Sequence, residues 1–288
     1  MTTMNLKEIK QRIHSVKSTQ KITSAMKLVA AAKLRKTQAS IEHLRPYEQK
    51  LKSILSSFLC NTPLDSEYTV CREVKKVVVV PVASSTSFCG AFNSNIIRLV
   101  KELVAEYCSA GIATEIIPVG KKMQEFCKKQ GIATVDTLMQ QAGYPIYADI
   151  SSMANELMQR FIAGDIDKIE LVYTHFVSAG KLIPQRETLL PVDALSLSAE
   201  NVENSIDYIV EPNKEAFVKS LLPNVVRLRF YAALLDSSVA EHAARMVAMQ
   251  VATDNADDLI AELTLEYNKC RQQAITNELL DIISGSQR

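Results

Sequence analysis

"LRFYAALLDSSVAEHAARMVAMQVATDNADDLIAELTLEYNKCRQQA" occupies residues 228–274, and its reading decides the fold. Alternating steps of four and three from Leu228 land on Ala232, Leu235, Val239, His242, Met246, Met249, Thr253, Ala256, Ile260, Leu263, Tyr267, Cys270 and Ala274. Only His242 and Thr253 among these positions are polar. Two turns of a straight α-helix take slightly more than seven residues. A seam that repeats every seven therefore stays against its partner only if the helices supercoil left-handed. On such a seam His242 is expected to be a hydrogen-bonded core histidine. Past Ala274 the register reaches Asn277 and Asp281, and the seam stops. Yet "ITNELLDIISGSQR" (275–288) still carries Ile275, Leu279, Leu280, Ile282 and Ile283 at helical spacing, where chain ends are usually polar. These residues lie off the seam, so the tip is expected to face a different surface.

The N-terminal segment carries a rougher version of the same pattern. Stepping from Leu6 meets apolar residues at Ile9, Ile13 and Val16, then polar Gln20, Thr23 and Lys27. The apolar pattern resumes at Ala30 and continues with breaks to Phe58. At 20–27 the helix is expected to bury no ordinary stripe. Pro46 removes the hydrogen bond to the Glu42 carbonyl and predicts a kink. Pro223 is expected near the start of the C-terminal helix, where proline is tolerated. Neither 1–89 nor 181–284 contains a glycine, as long uninterrupted helices require. At about 1.5 Å per residue the two segments make rods of roughly 80 and 90 Å. A compact chain of this size has a radius of gyration of only about 19 Å. The rods are therefore expected to pair as an antiparallel coil projecting from the middle of the chain.

That middle alternates strand and helix. "KKVVVVPV" (75–82) reads as a strand buried on both faces. A helix follows from Asn93 to Ser109, then strand "TEIIPV", helix "KKMQEFCKK" and strand "IATVD". Next come a helix near Ile150–Ile162, strand "KIELVYTHFV", a turn at Ser178–Lys181 and returning strand "LIPQRETLLPV". The fold class is α/β plus a long antiparallel coiled coil, with a mostly parallel sheet and one antiparallel addition. The expected domains are 1–60, 70–210 and 213–288.

Chemistry is sparse. "ASSTSFCGAFNSN" (83–95) sits where a phosphate loop would follow the first strand, but it has one glycine and matches no nucleotide-binding fingerprint. The plain reading is a loop closing over a helix N-terminus, with Cys89 a small packed residue. A nucleotide-dependent enzyme is the reading this motif disfavours. The four histidines are dispersed and the six cysteines form no CxxC pair, which argues against zinc and against a disulfide framework. No catalytic, cofactor-binding or metal site is expected. No apolar run is long enough to span a membrane, and "MTTMNLKEIKQRIHSVK" is not a secretory signal.

Charge is asymmetric although the chain's net is only +1. Residues 1–52 hold twelve Lys/Arg against three acids, while 213–288 hold eight basic and ten acidic side chains. A basic coil of this kind admits a nucleic-acid-binding alternative. The commonest reading of a charge run is a solvated face, partly paired with Asp254–Glu266 on the partner helix. Lys17, Lys21, Lys33, Arg35 and Lys36 cluster around the polar break and favour an acidic protein partner.

"EIKQRIHSVKSTQKITSAMKLVAAAKLRK" (8–36), "FCGAFNSNI" (88–96), "EHAARMVAMQVATDNADDLI" (241–260) and "NKCRQQAITNELLDIISGS" (268–286) resemble, in order along the whole chain, the gamma subunit family of F-type ATP synthases. The resemblance implies a Rossmann-like α/β domain inserted between the paired terminal helices. It also implies a non-catalytic rotor shaft. Its partners would be a ring of alpha and beta subunits, the epsilon subunit and the membrane c-ring, with no nucleic acid and no cofactor. Membrane association would be indirect and peripheral, at the cytoplasmic face of a bacterial inner membrane. Carried over residue by residue, Met26 and Lys27 meet the beta subunits. Arg245, Gln272, Thr276 and Glu278 match polar contacts to the ring, and Tyr208 in "IDYIVEP" faces the c-ring and epsilon foot. The plain alternatives are packing of Met26 within the coil and an Arg245–Glu241 pair one turn apart. The chain departs from the family where Ser85, Thr86 and Ser87 replace the usual acid, base and first glycine. It also lacks room between 190 and 225 for the cysteine-bearing insertion of chloroplast members, so thiol control is not expected.

Overall fold

The computed structural model describes residues 6–59, 66–132, 134, 142–192 and 214–285. Its elements are α1 (Leu6–Leu59), β1 (Lys76–Pro81), α2 (Phe92–Ser109), β2 (Ala113–Ile116), α3 (Lys121–Lys129), α4 (Tyr147–Ile162), β3 (Lys168–Ser178), β4 (Lys181–Leu190) and α5 (Lys214–Gly285). They form two compact units. One combines the chain up to Ala31 with the chain from Arg245 onward, and the other is Ala32–Ala244.

The first unit pairs the ends of α1 and α5. Ile9, Ala30, Met249, Ala256 and Leu263 are buried, and Ile260, Tyr267, Cys270 and Ala274 are half-buried, all on the seams read from the sequence. Gln20 bonds Asp257, Thr23 bonds Thr253 and Lys27 bonds Gln250. One number rises as the other falls, so the helices are antiparallel. At 20–27 the seam holds polar groups in place of an ordinary apolar stripe, as expected. Thr23 is buried and Gln20 and Lys27 are half-buried, because each polar group finds a polar partner across the seam.

Two proline expectations also meet the structure. α1 runs unbroken through Pro46. Pro223 does not start the C-terminal helix, which begins at Lys214. The Lys219 carbonyl loses its helical donor there, while Leu222, Val225 and Val226 around the proline are buried in the core and hold the helix together.

In the second unit a mixed four-stranded sheet has the order β2-β1-β3-β4. β1 is parallel to both β2 and β3, and β3–β4 is an antiparallel hairpin. Of the expected strand at 132–136, Thr134 makes one parallel bridge to Ile116, and 133, 135 and 136 lie outside the described residues. Alternation along β1 feeds two cores. Val77 and Val79 pack with Ile96, Val100 and Leu103 of α2 and Met123 of α3. Val78 and Val80 pack with Ile150, Leu157 and Phe161 of α4, Leu51 and Leu55 of α1, and Val226 and Phe230 of α5. Burial on both faces is why this strand reads as a continuous β-branched run.

Polar links tie the layers together. Arg160 on α4 grips Glu115 of β2 through two bonds of 2.8 Å. Those bonds, against some desolvation, hold the Glu115 carboxyl below the usual carboxylate range. Beyond β1 and β2 the two chains cross closely: Ala83 N–H donates to the Val119 carbonyl at 3.0 Å and Lys122 N–H to the Ser84 carbonyl at 3.1 Å. Gly120, at φ +90°, fits only because it has no side chain, since a Cβ would lie 2.1 Å from the Ala83 oxygen.

Candidate functional site

The residues singled out by the sequence fall mainly on the paired helical ends. Lys27 Nζ donates to Gln250 Oε1 at 2.8 Å, and Gln250 Nε2 donates to Asp254 Oδ1 at 2.7 Å. The lysine is thus anchored in the polar layer, one turn above the Thr23–Thr253 pair. Gln20 Nε2 donates to Asp257 Oδ1 at 2.9 Å and closes the layer below. Met26 and Arg245 are half-buried. The numbers in each cross-seam pair add to 276 or 277, so Arg245 stands near the level of Ala31, about one helical turn along from Lys27. Gln272, Thr276 and Glu278 are exposed, roughly 40 Å further along the same helix at about 1.5 Å per residue. Thr276 spends its hydroxyl on the Gln272 carbonyl at 2.9 Å. The structure therefore divides these residues into a girdle and a tip. Tyr208 lies outside the described residues.

Sequence reasoning missed an outward apolar stripe on the girdle. Ile22, Leu28 and Val29 are more than half exposed, and Ile22, Met26 and Val29 follow the i, i+4, i+7 spacing of one helix face. Val251 on α5 is exposed at the same level. The off-seam apolar residues of "KITSAMKLV" were the available signal. Exposed apolar side chains beside a satisfied polar layer mark a surface built for contact with protein. Lys17, Lys21, Lys33 and Arg35 are exposed around it. The expected pairing of this basic face with Asp254–Glu266 takes another form, since Asp257 accepts from Gln20 and Asp254 from Gln250. At the tip Ile275, Leu279, Leu280, Ile282 and Ile283 are 45–68% exposed, so the apolar end is uncovered within its own unit.

The Thr23–Thr253 rung is testable. The hydroxyls are 2.8 Å apart, and each also has a backbone carbonyl of its own helix in reach, Gln20 at 3.0 Å and Met249 at 2.8 Å. Two protons serve three acceptors. Thr253→Val should cost about 1 kcal/mol for the lost bond between the helices, and adding Thr23→Val should cost little more, because the Thr23 hydroxyl left behind bonds only its own helix at the Gln20 carbonyl. A double-mutant cycle from urea unfolding of the isolated chain measures the coupling, and strictly additive losses would remove the rung's energetic role.

The loop after β1 is tied internally through Asn93. Asn93 Oδ1 accepts from Ser84 N–H at 3.0 Å, and Asn93 Nδ2 reaches Ser84 Oγ at 2.8 Å and Cys89 Sγ at 3.1 Å. Ser84 N–H is thus taken by the chain itself. Cys89 is buried and packs with Phe92 and Ala240, as the plain reading had it. Phe88 adopts φ +66°, a conformation disfavoured for a bulky side chain and held by this surrounding network. His242 is buried, and its Nε2 bonds the Gly143 carbonyl at 3.2 Å, as expected of a core histidine. Among the described residues no group of three or more His, Cys, Asp or Glu has metal-holding geometry. Among them, too, no helix is long and apolar enough to cross a membrane.

Comparison with known proteins agrees with this geometry. A family model described as ATP synthase matches residues 5–287. The chain is 50% identical over 285 residues to the ATP synthase gamma chain of Phocaeicola vulgatus, covering 98% of this chain and 99% of that one. Among solved structures it resembles a chain from the central stalk and c-ring of the Tetrahymena thermophila mitochondrial ATP synthase. That match has a TM-score of 0.58 and 26% identity, over 80% of this chain and 99% of that chain. A chain of the Euglena gracilis mitochondrial enzyme shares the fold at TM-score 0.70 and 21% identity, over 98% and 93% of the two chains. These relatives lend no support to the nucleic-acid alternative.

Proposed function

This chain belongs to the ATP synthase gamma chain family, and from that premise we propose that it is the central rotor shaft of an ATP synthase. It couples rotation of a membrane c-ring to conformational cycling of catalytic beta subunits, and is itself non-catalytic. The observation that carries this reading is the uncovered apolar surface on a paired-helix unit. Ile22 and Val29 at the girdle and Leu279 to Ile283 at the tip are exposed where an isolated coil would be polar.

The finer assignments follow from the same premise. The segments expected at 1–60, 70–210 and 213–288 act as terminal helices around a Rossmann-like α/β domain that meets the epsilon subunit and c-ring, and Tyr208 is the contact that the family resemblance implies there. Met26, Lys27 and Arg245 engage the alpha/beta ring at the girdle, and Gln272, Thr276 and Glu278 engage it at the tip. Apolar contact at the tip lacks directional bonds and slips between orientations. Charged and polar contact at the girdle supplies direction and register. The complex holds the chain peripherally at the cytoplasmic face of a bacterial inner membrane.

A pull-down from membrane extract at low salt, read by mass spectrometry, should recover alpha and beta subunits with this chain. In the assembled complex Arg245→Ala should lower coupled ATPase turnover several-fold without changing the circular dichroism of the free chain. Recovery of the chain without alpha and beta, or a salt-sensitive shift of RNA or DNA by the purified chain, would overturn the reading.

A further inference from the structure

Within the Ala32–Ala244 unit, α5 is held by side-chain bonds to four different parts of the α/β layer. Arg227 Nε donates to Asn155 Oδ1 of α4 at 2.6 Å. Arg229 donates to Glu187 Oε1 at 3.1 Å through Nε, and to the Thr188 carbonyl of β4 at 3.3 Å through Nη2. Asp236 binds His175 Nδ1 at 2.5 Å and accepts from Phe176 N–H at 3.2 Å, both on β3. Ser238 Oγ donates to the Gly143 carbonyl at 2.9 Å, and His242 Nε2 bonds the same oxygen at 3.2 Å.

Helical geometry sorts these five residues. At about 100° per residue, Arg227, Ser238 and His242 fall within roughly 60° of one another, and Arg229 and Asp236 fall on the opposite side. Between the two rows runs the buried stripe of Val226, Phe230, Ala233 and Leu234. Apolar packing resists separation but has little preference for rotation about the helix axis. Hydrogen bonds and ion pairs on both flanks are directional, so they oppose a twist in either sense. α1 reaches the same core mainly through apolar Leu44, Leu51, Ile54 and Leu55, with Lys36 Nζ over the Tyr144 ring at 4.5 Å.

We propose that α5 is the helix through which twisting load passes between the α/β layer and the paired ends. Arg229, Asp236, Ser238 and His242 are positioning residues that key its rotation. The inference rests on the rotor-shaft reading. It assigns a mechanical role to side chains far from the girdle and tip.

The test uses the assembled complex with its ring immobilised and a rod attached at exposed Cys108, in a Cys71→Ser background. The width of the rod's angular fluctuation at a stalled dwell reads torsional stiffness directly. Weakening one of the two rows should broaden the angular variance by up to about twofold in Ser238→Ala/His242→Leu, which leaves Arg227 alone on that side, and similarly in Arg229→Met/Asp236→Asn for the other. Ser220→Ala should leave the width unchanged, because among the described residues Ser220 Oγ bonds the Phe217 carbonyl of its own helix. Ser238→Thr/His242→Gln, which keeps both donors, should restore the narrow distribution. Parental width in both row variants, with melting temperatures near the parent's, overturns the proposal. A parental rod that does not turn on ATP overturns the shaft reading instead. If one row variant fails to assemble, the other decides.

Discussion

Removal of residues 275–288 is expected to weaken association with the alpha/beta ring by one to two orders of magnitude, and ATP synthesis by the reconstituted complex with it. The helical pair should stay folded. Five large apolar side chains there are 45–68% exposed, so covering each of them against a partner is worth about 1 kcal/mol. Losing even 2–3 kcal/mol of contact corresponds to roughly 30- to 150-fold in affinity. The coil is expected to survive because its seam ends at half-buried Ala274, and buried Leu263, Ala256 and Met249 lie before the cut. Circular dichroism of the free truncated chain, set beside its affinity for the ring, separates the two effects. Collapse of the helical signal would show that the tip stabilises the coil rather than contacting a sleeve.

Gly120→Ala is expected to destabilise the α/β unit by at least about 3 kcal/mol. The new Cβ would lie 2.1 Å from the Ala83 oxygen and 2.9 Å from its carbonyl carbon, at φ +90°. Neither partner yields easily. Ala83 N–H is bonded to the Val119 carbonyl, and the next carbonyl, Ser84, accepts from Lys122 N–H. Relief requires breaking the crossing that joins the ends of β1 and β2. Gly111→Ala is the matched comparison: φ is +72° with nothing within 4 Å of the added atom. Only the backbone cost of about 1–2 kcal/mol then applies. Urea midpoints of the two variants should differ clearly, and equal midpoints would mean the close approach relaxes at no cost.

Parts of this molecule were legible because the responsible physics is local or periodic. The seam from Leu228 to Ala274 states which side of a helix is covered, whatever covers it. Burial of Met249, Ala256 and Leu263 follows it residue by residue. "KKVVVVPV" announced a strand covered on both faces, and Val77 to Val80 feed two cores. Packing of Cys89 and the hydrogen-bonded state of His242 followed from residue type and position on the pattern. The expected segment 213–288 matches the helix start at Lys214, but Pro223 sits more than two turns inside it, where burial of Leu222 and Val226 overrides its local stop signal.

By itself the sequence determined that long helical ends pair, that an α/β layer lies between them, and that residues 275–283 are apolar off the seam. Only the tertiary structure decided which polar groups meet. Gln20, Thr23 and Lys27 find Asp257, Thr253 and Gln250 more than two hundred residues away, and side chains on two sides of α5 bond α4, the Gly143 carbonyl and the sheet. Periodicity belongs to one helix, whereas register belongs to a pair. A hydrogen bond depends on the position of both atoms to within tenths of an ångström, and that position is settled only when the helices and the sheet pack together.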